Sequence, residues 1–184
     1  MASNSPRRKE LLEKMGLQFS VVNSGFEEND VCLDPVKTAE QFAEGKADSV
    51  YNTLKDKEDC VVLGADTVVY CDGEILGKPE TESQAREMLF KLSGKTHTVI
   101  TGFCLIKAGK KIMGHDKTEV TFECLTENLV DKYIDSGLYR GKAGSYGIQD
   151  GFPLVKEYNG SLNNVIGLPT EKIKKHLDEL RGIL

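Results

Sequence analysis

The run Cys60-Val61-Val62-Leu63-Gly64 has no polar side chain and is only as long as a strand, which predicts a β-strand covered on both faces. A strand of that kind needs a packed layer on each side of its sheet, so the chain is expected to fold around a covered sheet and not as a helix bundle. The run leads into Ala65-Asp66-Thr67. A carboxylate that follows a buried run directly requires a partner, and the carboxyl end of a strand is where sites of α/β proteins usually lie. Asp66 is therefore the first candidate for chemistry.

The elements around this strand can be read from local signals. Ser5-Pro6 ahead of Arg7-Arg8-Lys9-Glu10-Leu11-Leu12 reads as a helix start, with Ser5 as the cap and Pro6 at the first helical position, where its missing N–H costs nothing. Gly16 ends that helix. Residues 19–22 are expected to form a short strand, and 23–35 a polar loop that holds Glu27-Glu28-Asn29-Asp30. Ala39, Phe42, Ala43, Ala47, Val50 and Leu54 set the apolar face of a helix over 36–54. Strands at 68–70 and 74–76 flank Asp72-Gly73, a hairpin signal. Ala85, Met88, Leu89 and Leu92 form a helix stripe closed by Gly94. Strands are expected at 96–106, 111–113 and 117–124, helices at 127–136 and 171–180, and a glycine-rich loop between them at 141–160. No repeat or linker interrupts the chain. The expectation is one α/β domain over residues 1–184, with an elongated mixed β-sheet flanked by helices.

Composition narrows the function classes. A net charge of −5 argues against a general nucleic-acid coat, which needs many Lys and Arg to neutralise phosphates. The five cysteines are odd in number and never form a C-x-x-C, so neither a disulfide framework nor a zinc site is expected, and reduced cytoplasm fits them best. No apolar run approaches the ~20 residues of a spanning helix, and Met1-Ala2-Ser3-Asn4-Ser5 lacks a signal-like apolar core. No membrane association is expected.

Three segments carry candidate chemistry. In Ser5-Pro6-Arg7-Arg8, free N–H groups at a helix start and two guanidinium forks suit a phosphate chain; a solvated basic turn is the competing reading. Glu28 and Asp66 could together hold Mg²⁺ or Mn²⁺, hard ions that share oxygen ligands with phosphates, although Glu28 also fits a merely charged loop. Lys46, on the second helix, and Lys78, in Gly77-Lys78-Pro79, are further phosphate partners or else ordinary surface lysines. Lys142-Ala143-Gly144-Ser145-Tyr146-Gly147-Ile148-Gln149 permits close backbone approach, offers Tyr146 for ring packing and gives Gln149 a planar donor and acceptor suited to a base edge; a plain glycine-rich connection competes equally.

In combination these segments resemble the Maf (septum-formation) family. The resemblance runs in order through Ala2-Ser3-Asn4-Ser5-Pro6-Arg7-Arg8, Glu27-Glu28-Asn29, Gly64-Ala65-Asp66-Thr67-Val68-Val69, Gly77-Lys78-Pro79, Leu92-Ser93-Gly94-Lys95-Thr96-His97, Thr101-Gly102, the 142–149 segment and Asn163-Asn164-Val165-Ile166-Gly167-Leu168-Pro169. It implies a fold similar to the inosine triphosphate pyrophosphatases, with a central cleft, and metal-dependent hydrolysis of a nucleoside triphosphate to the monophosphate and pyrophosphate. By motif position it puts the proton-accepting carboxylate on Asp66, with Glu28 and Lys78 as its catalytic companions, and substrate choice on Arg7, Thr67 and Gln149. Arg after Ser-Pro, Ala-Asp-Thr and Ile-Gln resemble the dTTP/UTP branch and not the 7-methylguanosine triphosphate branch. A housecleaning role against modified nucleotides and a homodimer are family-level expectations. The alternative is a regulator of cell division that binds nucleotide without hydrolysing it.

Three departures stand out. Leu138-Tyr139-Arg140-Gly141 replaces a usual Glu-Pro-x-Asp, and Asp150 stands where Gly usually follows Ile-Gln. Family chains also open with a short apolar strand before Ala-Ser-x-Ser-Pro, whereas Met1 directly precedes Ala2 here. The resemblance therefore implies about five more residues ahead of Met1, and a less stable chain with a more mobile Arg7-Arg8 segment in their absence.

Overall fold

The computed structural model describes residues 1–28 and 32–181; Asn29 and Asp30 of the acidic loop lie outside the described residues. Helix α1 spans Pro6–Lys14, with the Ser5 hydroxyl accepting from the Arg8 N–H and proline in the first turn, as the cap signal predicts. Helix α2, Pro35–Thr53, starts one residue earlier than expected, because the Asp34 carboxylate caps Val36 and Lys37. Strand β1 (Val62–Cys71) and β2 (Glu74–Leu76) form the hairpin around Asp72-Gly73. Helix α3 (Glu82–Leu92), β3 (Thr96–Lys107), β4 (Lys110–Phe122), α4 (Glu127–Asp135), β5 (Val155–Asn159), α5 (Leu162–Ile166) and α6 (Thr170–Arg181) complete the order.

The fold is α/β, and its sheet has the order β2-β1-β3-β4-β5. Every described strand pair is antiparallel, so the sheet is not the mixed one expected. The cause is the β2 hairpin. It reverses the chain before α3, so α3 delivers β3 to the far side of β1 running the same way as β2.

Four further expectations are corrected. The strands expected at 60–64 and 68–70 are one strand, so Asp66 lies in the middle of β1 and not at a carboxyl end. The strands expected at 111–113 and 117–124 likewise join through Gly114-His115-Asp116 as β4. The segment read as a loop over 141–160 contains β5, and α5 follows it. Residues 19–22 form no strand. Their described backbone partner is Met1, bonded to Ser20 and Val22, while Ala2 donates to the Leu63 carbonyl at 2.8 Å. These isolated bonds do not make a ladder.

The two largest apolar clusters among the described residues lie along the sheet. Leu11, Leu12, Leu63, Ala65, Phe103 and Ile173 belong to one, and Val69, Leu89, Val99, Phe122 and Tyr133 to the other. Along β1, Asp66 and Thr67 fall between them. Helix α2 covers this stretch at very short range. A Cβ on Gly64 would stand 2.2 Å from the Ala43 carbonyl oxygen, and one on Gly102 would stand 2.4 Å from that of Ala39. These two glycines let the helix backbone rest on β1 and β3. No helix among the described residues is long and apolar enough to cross a membrane.

Candidate active site

A cavity of about 530 Å³ opens where α1, α2, β1 and the 141–149 segment meet, and all nine candidate residues line it: Ser5, Arg7, Arg8, Glu28, Lys46, Asp66, Thr67, Lys78 and Gln149. Among the described residues its wall holds six cations, Arg7, Arg8, Lys46, Lys78, Arg140 and Lys142, against the carboxylates of Glu28 and Asp66. A chain of net charge −5 thus encloses a locally cationic pocket.

The acidic pair converges on one lysine. Lys46 Nζ donates to Asp66 Oδ1 at 2.6 Å and to Glu28 Oε1 at 2.7 Å. Lys78 Nζ reaches Glu28 Oε1 and Oε2 at 2.8 and 3.0 Å. Burial pushes the Glu28 carboxyl up, but the hydrogen bonds from Lys46 and Lys78 outweigh it and hold the group at about 2. Asp66 and Lys46 are both buried. Lys46 reaches them because α2 sits so low on the sheet, and Glu28 is brought in by a second close fit. The Phe26 ring occupies the space in front of Gly45, where a Cβ would stand 2.2 Å from the ring. That need for room explains a glycine inside a helix, where it costs about 1 kcal/mol relative to alanine.

Arg8 is buried and directs a chain of hydrogen bonds. Its Nε donates to the Gly167 carbonyl at 2.8 Å, Nη1 to Ser3 Oγ at 3.2 Å and Nη2 to Thr67 Oγ1 at 3.0 Å. Thr101 Oγ1 donates to the Asn164 carbonyl, so the hydroxyl proton of Thr67 must be the one shared with Thr101, 3.0 Å away. Thr67, a candidate for substrate choice, is thereby held from both sides. Arg7 is freer, with one long contact of 3.4 Å to the Gly141 carbonyl. Burial lowers the pKa of both guanidiniums, partly offset by Asp150 near Arg7 and by Asp66 near Arg8. Two desolvated cations at the positive end of a helix are a costly arrangement that an anion would relieve.

Tyr146 corrects one expectation. Its ring is packed edge-on against Phe122 and His97, with centroids 4.7 and 5.4 Å away, and its hydroxyl lies 2.7 Å from His97 Nε2. It lines the cavity as part of the core, so the ring is not the free stacking platform expected. Thr101, Lys142, Asn164 and Gly167 were visible only as motif members. Tyr133, whose hydroxyl bonds Asp150 at 2.5 Å, carried no sequence signal beyond its place on the apolar face of α4.

Glu28 and Asp66 are also the carboxylates that could hold a divalent metal ion. They already converge on one cation, the Lys46 ammonium, and hard carboxylate oxygens suit Mg²⁺ or Mn²⁺. No group of three or more His, Cys, Asp or Glu side chains converges among the described residues. An ion here would draw its other ligands from phosphate and water, as Mg²⁺ commonly does.

The Maf-like protein family matches residues 1–180. The chain belongs to that family. Relatives of this Maf-like chain include proteins named dTTP/UTP pyrophosphatase. The one from Aquifex aeolicus is 40% identical over 98% of this chain and 94% of its own length. That from Phocaeicola vulgatus is 44% identical over 98% and 94%, and that from Pyrococcus abyssi 41% over 94% and 91%.

Proposed function

We propose that this Maf-like chain hydrolyses a pyrimidine nucleoside triphosphate, dTTP or UTP, to the monophosphate and pyrophosphate. The observation that carries the reading is the cavity itself, in which a buried carboxylate, Asp66, lies among cations fit to hold a phosphate chain. The names of relatives that span nearly the whole chain support the choice of substrate.

In this reading Arg7, Arg8 and Lys78, at or facing the start of α1, hold the phosphates. Asp66 accepts a proton from water as the water oxygen bonds to the α-phosphorus; the bond from that phosphorus to the bridging oxygen breaks, and pyrophosphate leaves. Glu28 and Asp66 would hold the divalent ion, which supplies positive charge to the phosphate oxygens when bound. Gln149 and Arg7 face the base. Binding without turnover would need no proton acceptor in the wall, and no feature of the cavity favours it.

The test is pyrophosphate release over a panel of pyrimidine and purine triphosphates with Mg²⁺ and with Mn²⁺. Turnover of dTTP and UTP above the purines is expected. Binding of both with no release would overturn the reading.

A further inference from the structure

Behind the exposed Gln149 the loop buries a second carboxylate. The Asp150 side chain is only 6% exposed, and its Oδ2 accepts from the Lys142 ammonium and, at 2.5 Å, from the Tyr133 hydroxyl. That hydroxyl itself accepts from the Gly147 N–H at 3.1 Å, so its proton is committed to Asp150. Oδ1 is left for Gln149, whose Nε2 lies 3.3 Å away. Gly147 makes the arrangement possible, because a Cβ there would stand 2.7 Å from both carboxylate oxygens.

An ionised carboxylate can only accept hydrogen bonds. The Gln149 amide beside it therefore has one favourable orientation, with its NH₂ group towards Asp150 and its carbonyl oxygen left for the cavity. We propose that Asp150 is a positioning residue for base choice: it presents the Gln149 carbonyl to the ring and so selects an imide N–H, as in uracil and thymine, over cytosine. The corresponding ring nitrogen of cytosine is an acceptor and gains no bond there. The inference rests on the reading of the cavity as a pyrimidine triphosphate site, and it adds the atom that distinguishes one pyrimidine from another.

Asp150→Asn tests it, because the Lys142 ammonium and the Tyr133 hydroxyl claim the amide oxygen, so the new NH₂ group faces Gln149 and the Gln149 carbonyl turns away from the cavity. The preference for UTP over CTP in kcat/KM is expected to fall roughly tenfold, the worth of one net hydrogen bond. The change should lie in KM for UTP, since a base contact remote from the reacting phosphorus is made alike in ground and transition states. Asp150→Asn also leaves the buried Lys142 ammonium without its counter-charge, which can cost the fold. The double variant Asp150→Asn with Lys142→Met removes that burden and is read in the same way. Loss of activity by one common factor for UTP and CTP would assign Asp150 a structural role only and overturn the inference. Equal kcat/KM of the unaltered protein for the two nucleotides would overturn it as well, while leaving the pyrophosphatase reading intact; absence of pyrophosphate release from any pyrimidine triphosphate removes that reading instead.

Discussion

Asp66 and Lys46 face each other across 2.6 Å in a buried position, and the consequence for mutation is specific. Asp66→Asn keeps the size of the side chain and removes the proton acceptor, and Lys46 retains Glu28 as a partner. Turnover should fall by roughly 10² to 10⁴, the usual worth of a general base, with nucleotide affinity largely kept; near-normal kcat would mean that the proton goes elsewhere. Lys78 is half exposed, so Lys78→Ala should cost little stability and weaken all triphosphates by one factor, because a phosphate contact carries no information about the base. A panel of KM values checks this. His97 gives a prediction of another kind. Burial lowers its pKa from 6.5 to about 4. The unfolded chain therefore binds more protons between those values, and stability, complete above about pH 6.5, should fall as pH drops towards 4. The loss is about 3 kcal/mol by linkage. Urea unfolding across that range should show the slope, and His97→Gln should reduce it.

At the scale of elements, the seat of α2 on the sheet decides the geometry of the site. Gly102 pairs with Asp66 across the β1–β3 ladder and lies beneath the Ala39 carbonyl. Gly102→Ala should push the helix outward, cost about 1–3 kcal/mol as overpacking does, and lower kcat by lengthening the Lys46–Asp66 contact. The urea midpoint and turnover should fall together; an unchanged midpoint would show that the helix has room to spare. The same elements show which features sequence patterning can reveal. Helices α1 to α4 announce themselves by caps and apolar stripes, and every candidate site residue lines one cavity. Strand continuity was hidden, because Asp66-Thr67 and Gly114-His115-Asp116 put polar or small residues mid-strand, where their partners come from distant segments. Strand β5 is exposed over Lys156 to Asn159 and has no buried face for alternation to mark. Helix α5 has five residues, too few for an apolar stripe to repeat. The Tyr133–Asp150–Lys142 cluster joins a helix to a loop through side chains alone, and no spacing rule describes that.

For the whole molecule, Lys46 would separate stability from the divalent ion proposed for Glu28 and Asp66. With the ion absent, both carboxylates still meet a buried ammonium, so the pair is never left as two uncompensated charges. Chelation should therefore abolish pyrophosphate release and leave the thermal midpoint within a degree or two, unlike proteins whose metal carries part of their folding energy. Calorimetry with and without chelator checks it; a large drop in midpoint would mean that the ion is structural. The Arg8–Gly167 hydrogen bond sets a different condition, one of time. Its two residues are 159 positions apart in the chain. A ribosome adds roughly 5–20 residues per second, so Arg8 emerges roughly 8 to 30 seconds before the carbonyl that will receive it. During that interval its guanidinium lacks the carbonyl that anchors it, and the start of α1 has no opposite wall to face. The cavity is thus among the last features the protein acquires during its own synthesis.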